Sequence, residues 1–334
     1  MVTLHDVATH AGVSTATVSR VFARPDKVSP ATADRVIRAA DELGYVPNGA
    51  ARALATGLTG LIGLVVPSLS NSYFSPIITA VQATLEQAGF ELLVADSHGE
   101  AAREAHILTR LRGRVDGVIT ASPRSADEVI AAHAAVMPLV TINAQVPGVA
   151  SVAVDVHAGL AELCSWLLMR GHRNLVYLGG PAGSRYDDAR YATIRQHLDQ
   201  HAAAVTRLGP VPPKAVAGAK VLPEIRATGA TAVIAYNALV GSGIVSAAVH
   251  AGVRVPDELA VVAVDDLVDL GLGLPAMTAI RQPMYQVGVT SAELLVELAA
   301  ASRRTQRTQS TEDAGTTPAQ HRVLPTTLVT GATA

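Results

Sequence analysis

Apolar positions Leu4, Val7, Ala8 and Ala11 fall at i, i+3, i+4 and i+7, which predicts a first helix over residues 4–11. Thr3 is placed to cap it, and Gly12 stops it where a left-handed residue is cheapest. Ser14 then caps a second helix that buries Val18, Val21 and Phe22. Thr15, Ala16, Thr17 and Arg20 are left outward near its start. Ser29 and Pro30 occupy the cap and first-turn positions of a third helix. Its inner face is Val36, Ile37, Ala40 and Leu43, and Gly44 ends it. Tyr45-Val46-Pro47-Asn48 breaks the pattern, and Asn48 can cap a further short helix over residues 49–55. Arg52 and Leu54 are its only large side chains, so it has no apolar face broad enough to dock on a core. Below ~12 residues such a helix is marginal alone.

From residue 60 the period changes. Short apolar runs at 61–66, 91–95, 115–120 and 138–142 alternate with amphipathic stretches at 74–88 and 101–111. After a run at 151–155 the series restarts, with runs at 175–178, 232–235 and 260–264 and helices between. Strands alternating with helices mean parallel sheets, here two Rossmann-like lobes. A helix over 284–300 follows, then a polar stretch at 303–320, rich in Thr, Gln and Arg, that reads as a disordered loop. Residues 322–329 read as one last strand returning to the second lobe.

Two helices around the sharp turn at Gly12 form a helix-turn-helix, whose second helix presents its N-terminal side chains to the major groove of DNA. Bulk charge does not drive such binding, because the whole 334-residue chain carries a net charge of −2. In residues 1–60, Arg20, Arg24, Lys27, Arg35, Arg38 and Arg52 are set against Asp6, Asp26, Asp34, Asp41 and Glu42. Affinity therefore rests on a few placed cations and on two copies of the head. The single cysteine, Cys164, rules out an internal disulfide and fits a reducing compartment. Beside Leu163 and Leu167 it reads as a small buried residue rather than a nucleophile. No charged-then-apolar leader and no membrane-length apolar run is present, so a cytoplasmic protein without a membrane partner is expected.

Asp6-Val7-Ala8, Ala11-Gly12-Val13-Ser14, Thr17-Val18-Ser19-Arg20-Val21, Glu42-Leu43-Gly44-Tyr45-Val46-Pro47-Asn48 and Ala51-Arg52-Ala53-Leu54 recur at one family's spacing. In these stretches the chain resembles the lactose-repressor (LacI) family of bacterial transcription regulators, over essentially its whole length. The resemblance implies an all-α helix-turn-helix headpiece at 1–47 and a hinge helix at 48–59. It implies an α/β periplasmic-binding-protein-like body at 60–334, with a first lobe at 60–156 and 284–302 and a second at 157–283 and 321–334. It further implies that Ala16, Thr17 and Arg20, together with Thr15, Asn48 and Arg52, bind operator DNA, and that Leu54 enters the minor groove as an apolar wedge. An inserted apolar side chain unstacks a base step and kinks the duplex. Leu54 can also be an ordinary linker residue, and Arg20 can bind either a phosphate or a guanine edge.

In open parallel sheets, ligands bind beyond the carboxyl ends of the strands. The residues there are Ser68 and Asn71 to Phe74, Asp155, Gly179-Gly180-Pro181 leading to Arg185 and Arg190, Tyr236 with Asn237, and Asp265-Asp266. Aromatics with carboxylates, an amide and arginine suit a polyhydroxylated or heterocyclic small molecule. By resemblance Tyr73, Phe74, Asp155, Arg190, Asn237 and Asp265 match effector-pocket positions. The alternatives are core packing for Tyr73 and Phe74 and helix capping for Asp155 and Asp265. A metal at Asp265-Asp266 is disfavoured, since adjacent residues point apart and no further ligand cluster accompanies them. No metal or cofactor is expected.

The chain departs from the family pattern at Asn237-Ala238, at Ala263-Val264-Asp265-Asp266 and at Val211, where an aromatic often stacks on the effector. An unusual ligand, or a pocket that has lost its response, stays open. No leucine heptads follow Val329, so a dimer is expected rather than a coiled-coil tetramer. The resemblance places its surface on the first lobe. The leading expectation is a dimeric repressor of a palindromic operator, gated by a sugar-like effector. The alternative is a cytoplasmic solute-binding protein like the periplasmic sugar receptors. A dehydrogenase lacks its Gly-x-Gly-x-x-Gly turn after any strand, and no catalytic triad pattern is present, so an enzyme is not expected.

Overall fold

The computed structural model describes residues 2–23, 27–46, 58–182, 184–266, 276–308 and 320–334. The first three helices are α1 (Leu4–Ala11), α2 (Thr15–Ala23) and α3 (Pro30–Leu43). Thr3 and Asp6 form a reciprocal capping box on α1, and Gly12 closes it at φ +62°. Val7, Ala8, Ala11, Val18, Val21, Val36, Ala39 and Ala40 meet in one small core. On α3 the inner face turns further than expected: Ala39 is buried, while Ile37 is 45% exposed. Val36, Ala39, Ala40 and Leu43 stand at i, i+3, i+4 and i+7 and share one face, whereas Ile37 lies about 100° round the helix from Val36, off that stripe.

Among the described residues the body holds two six-stranded sheets. The first is built from β1 (Leu61–Val66), β2 (Glu91–Asp96), β3 (Gly117–Ala121), β4 (Leu139–Ile142) and β5 (Ala150–Val154). On one face lie α4 (Ser75–Gln87) and α11 (Met284–Thr308), and on the other α5 (Ala101–Leu111) and α6 (Asp127–Ala134). The second sheet uses β6 (Asn174–Leu178), β7 (Ala204–Leu208), β8 (Ala232–Ala235), β9 (Ala260–Ala263) and β10 (Thr278–Arg281). Helices α7 (Val156–Met169) and α8 (Arg185–Asp199) cover one face, and α9 (Ala215–Ala227) and α10 (Ala238–His250) the other. Along β6, Leu175 and Tyr177 face α7 and α8 while Val176 and Leu178 face α9 and α10. A strand buried on both faces reads as a continuous apolar run for this reason.

Excluding the last strands, both sheets have the same order, with the first strand next to the second on one side and the third on the other. The expected single strand over 322–329 is in fact two. His321–Leu324 (β11) adds to the first sheet parallel to β5, and Thr327–Val329 (β12) adds to the second antiparallel to β10. Pro325 explains the break, because it has no N–H to continue a ladder. The segment assigned to the second lobe thus starts in the first, and the chain crosses between lobes after β5, β10 and β11. Helix α11 likewise runs to Thr308, eight residues past the expected end at 300. The expected loop residues 309–319 lie outside the described residues, as do residue 47 and 48–57 of the expected hinge. Among the described residues no helix is long and apolar enough to cross a membrane.

Candidate functional site

In the headpiece, Ser14 Oγ accepts the Thr17 N–H at 3.1 Å and meets Thr17 Oγ1 at 2.9 Å, which fixes the start of α2. Thr15, Ala16 and Arg20 are exposed, and Thr17 is half-buried beside its cap. An open polar edge at the N-terminal half of the second helix can reach base edges. Asn48, Arg52 and Leu54 lie outside the described residues. Where the chain re-enters the body, both Asp116 carboxylate oxygens accept backbone N–H groups, from Thr59 and Gly60, each at 2.9 Å.

In the body, the carboxyl ends of the strands bring Tyr73, Arg190 and Asp265 together. Asn71 caps the turn that carries Tyr73, and the Tyr73 hydroxyl accepts from Asn143 Nδ2 at 3.0 Å. The same hydroxyl donates to Gln282 Oε1 at 2.8 Å, and Gln282 Nε2 donates to the Val264 carbonyl at 2.8 Å. This string runs from β4 through the first lobe's ligand-side turn to the end of β9 in the second. Burial, with the Asp265 charge and against that of Arg190, raises the Tyr73 phenol above its ordinary value, so it stays a neutral donor.

Asp265 is 7% exposed, and its Oδ1 accepts the Ala238 N–H at 2.5 Å at the start of α10. Burial pushes its carboxyl up to about 7, against the opposing pull of that N–H and of Arg190. Asn237 is the cap of the same helix, its Oδ1 accepting from Val240 N at 2.9 Å. Asp266 turns away to Arg281 Nε at 2.6 Å, so the two carboxylates do not form one site. The Arg190 guanidinium carbon lies 5.1 Å from the Tyr236 ring centre, and its buried Nε has no hydrogen-bond partner. An unpaired buried donor at the mouth of two sheets is what a hydroxylated or anionic ligand would satisfy.

Phe74 and Asp155 sit differently. Phe74 is in the first lobe's core, edge-on to Tyr73 with ring centres 5.1 Å apart. Asp155 caps α7, accepting from Ala158 N at 3.0 Å. Val211 and Ala238 are buried in the second lobe's core. Cys164 is fully buried, and burial pushes its thiol up to about 12.

Several residues of this region went unnoticed in the sequence. Asn143 directly follows β4, so the strand-end rule reaches it. Gln282 lies in a crossover and carries no pattern of its own. Asp187 accepts from Tyr177 Oη and Gly180 N, both at 2.7 Å, and pairs with Arg207 on β7. Arg207 also reaches Asp188 at 2.8 Å. Beside this network a cavity of about 330 Å³ opens at the β7 edge, between Gly180, Ser184, Asp188 and Pro210. The pairing of α8 with β7 across twenty residues has no local signature.

Comparison with known proteins supplies the context. Residues 3–48 match the model of the bacterial regulatory proteins of the lacI family, and residues 165–334 match a periplasmic binding protein-like domain. The chain is 33% identical to the HTH-type transcriptional regulator GalS of Salmonella typhimurium over 310 residues, covering 90% of this chain and 91% of that one. It is 30% identical to the ribose operon repressor of Halalkalibacterium halodurans, covering 89% and 90%. The Lac repressor dimer bound to operator and the anti-inducer ONPF superposes with a TM-score of 0.85 at 27% identity, covering 99% and 98%. The regulator CelR in complex with cellobiose gives 0.69 at 27% identity, with both chains covered in full.

Proposed function

Because the chain belongs to the lacI family of bacterial regulatory proteins, we propose that it is a homodimeric repressor acting in the cytoplasm. It binds a palindromic double-stranded operator, and a carbohydrate-like small molecule in the cleft between its lobes sets that binding. It is a DNA-binding transcription regulator, built as a small helical head on a two-lobed α/β body. Thr15, Ala16, Thr17 and Arg20 read the major groove, Asn48 and Arg52 bind the operator from the hinge, and Leu54 is the minor-groove wedge. Tyr73, Arg190, Asn237 and Asp265 receive the ligand. Phe74 serves it as the ring packed edge-on to Tyr73, and Asp155 by capping α7 at the crossover.

The observation that carries this reading is the buried, unpartnered Nε of Arg190 beside Asp265. The names of the relatives, with ribose and cellobiose among them, favour a sugar over a heterocycle. A reaction on the ligand has no support, as the relatives are regulators. Operator selection from random duplexes, followed by gel-shift titration with D-ribose, D-galactose and cellobiose, tests it. The expected result is a palindromic site whose affinity shifts with one of these sugars. A protein that enriches no palindrome is not the regulator described.

A further inference from the structure

The candidate ligand residues stand at the carboxyl ends of the strands, but a second polar cluster closes the opposite end of the first sheet. Thr59 and Gly60 lead into β1, and three successive N–H groups there are taken by side chains. Asp116 accepts from Thr59 N through Oδ1 and from Gly60 N through Oδ2, each at 2.9 Å. Thr59 Oγ1 accepts from Leu61 N at 3.2 Å. Gly60 is held from the other side as well, its carbonyl accepting from Glu91 N at 2.8 Å. Asp116 is itself fixed beside Leu61, donating its N–H to the Leu61 carbonyl at 2.8 Å. The entry to β1 is therefore gripped from both neighbouring strands, β2 and β3.

The path of the chain is set here too. Gly60 has φ +74°, so the backbone turns into β1 through a conformation that favours glycine. Two hydrogen bonds to one planar carboxylate fix two adjacent peptide groups, which defines the direction of the chain and not only its place. Asp116 is half-buried, so water could have satisfied these N–H groups at little cost. A strand entry does not need this grip. The chain upstream of it carries the helix-turn-helix, in residues 3–48.

We propose that Asp116 is a positioning residue for operator binding. By fixing where and in which direction the chain leaves the first lobe, it sets the half-site spacing that a pair of heads can reach. In a symmetric complex two such exits face one duplex, and half-site spacing follows from where they stand. This inference rests on the protein binding a palindromic operator as a dimer. Loss of the grip has to be told apart from a longer tether. A flexible tether lengthened from about 12 to about 15 residues loses less than about twofold in effective concentration.

The test uses the full-length protein on the palindrome enriched from random duplexes, and on versions with one base pair added to or removed from its centre. Gel-shift titrations compare the parent with Asp116→Ala and Asp116→Asn. The parent is expected to prefer the enriched spacing by at least about tenfold. Asp116→Ala is expected to bind the enriched site at least about fivefold more weakly, beyond the tether effect, and to prefer it by less than about threefold. Asp116→Asn should behave alike, because its amide NH2 would oppose one of the two N–H groups. The ratio between spacings cancels any loss of folded protein, so a merely structural role leaves it at the parent's value. If Asp116→Ala does not fold, Asp116→Asn decides.

An unchanged ratio in Asp116→Ala overturns the proposal and leaves operator binding standing. A ratio that flattens in Ala but not in Asn also overturns it, since one acceptor would then suffice. A parent indifferent to spacing overturns it as well. If the parent enriches no palindrome, the operator reading falls and this inference falls with it.

Discussion

Replacing Tyr73 by Phe removes one oxygen and leaves the ring packed against Phe74, so no cavity forms and the effect reports hydrogen bonding alone. Two bonds are lost, from Asn143 at 3.0 Å and to Gln282 at 2.8 Å. Asn143 is half-buried and can turn to water, so its share is small. Gln282 is 6% exposed, and its Oε1 is left without the Tyr73 donor. A buried acceptor stripped of its donor costs ~1–3 kcal/mol, which puts the whole substitution at about 2 kcal/mol. Urea unfolding of the body should show a lower midpoint with an unchanged slope. The decisive measurement is a double-mutant cycle with Gln282→Leu. The two changes should be non-additive by roughly 1 kcal/mol, since each deletes one end of the same bond. Additivity within ~0.3 kcal/mol would show that the string does not act as a unit. Because it joins the two lobes, the same loss should shift the effector concentration that half-releases operator, at ~2 kcal/mol by up to about thirtyfold.

Asp187→Ala strips a buried acceptor from Tyr177, Gly180 and Arg207 at once, and should lower stability by ~3 kcal/mol in chemical denaturation; a change under ~1 kcal/mol means the network is solvated. Asp265 holds its proton up to about 7 when folded and releases it near ~4 when unfolded. Its stabilising contribution is therefore full below that lower value and is lost as pH rises through 7. Asp265→Asn keeps an acceptor for Ala238 and should flatten the fall in melting temperature between those limits; an unchanged profile assigns the titration elsewhere. Leu54→Ala should weaken operator binding about tenfold or more while sugar titrations stay as in the parent, in keeping with the few kcal/mol an unstacked step involves. Undiminished gel-shift affinity removes the wedge.

Much of the fold was legible because its strands are buried on both faces. A continuous apolar run such as Ala232–Ala235 has one reading between two helices. Ala204–Leu208 was missed for the complementary reason. It is an edge strand whose residues are half-exposed, and Thr206 and Arg207 break the apolar run. The last strands were merged because nothing local distinguishes a strand that serves one sheet from two that serve both. In the candidate cleft, the strand-end rule reached Arg190 and Asp265 along with Arg185 and Asp266, and the family resemblance singled the first two out. Phe74 and Asp155 share that position yet are taken up by packing and capping. Gln282 was invisible because its role depends on Tyr73, 209 residues away in the chain.

The placement of these groups constrains how a ligand can act on DNA. A ligand changes the balance between two lobe arrangements only by its differential affinity for them. If Asn237 and Asp265 of the second lobe hold the ligand, as proposed, they do so without biasing the balance unless the first lobe also touches it. Tyr73 is the first-lobe group that meets Arg190 and Asp265 electrostatically, and it is tied through Gln282 to Val264 of the second lobe. Asp116 anchors the hinge exit in that same first lobe, between α5 and β3. A ligand that bridges Tyr73 and Arg190 therefore acts on the lobe that carries the head. One that reaches Asp265 alone would bind and leave operator affinity unchanged. The split between binding and release should accordingly follow Tyr73, with Asp265 variants losing affinity and Tyr73→Phe losing mainly the coupling.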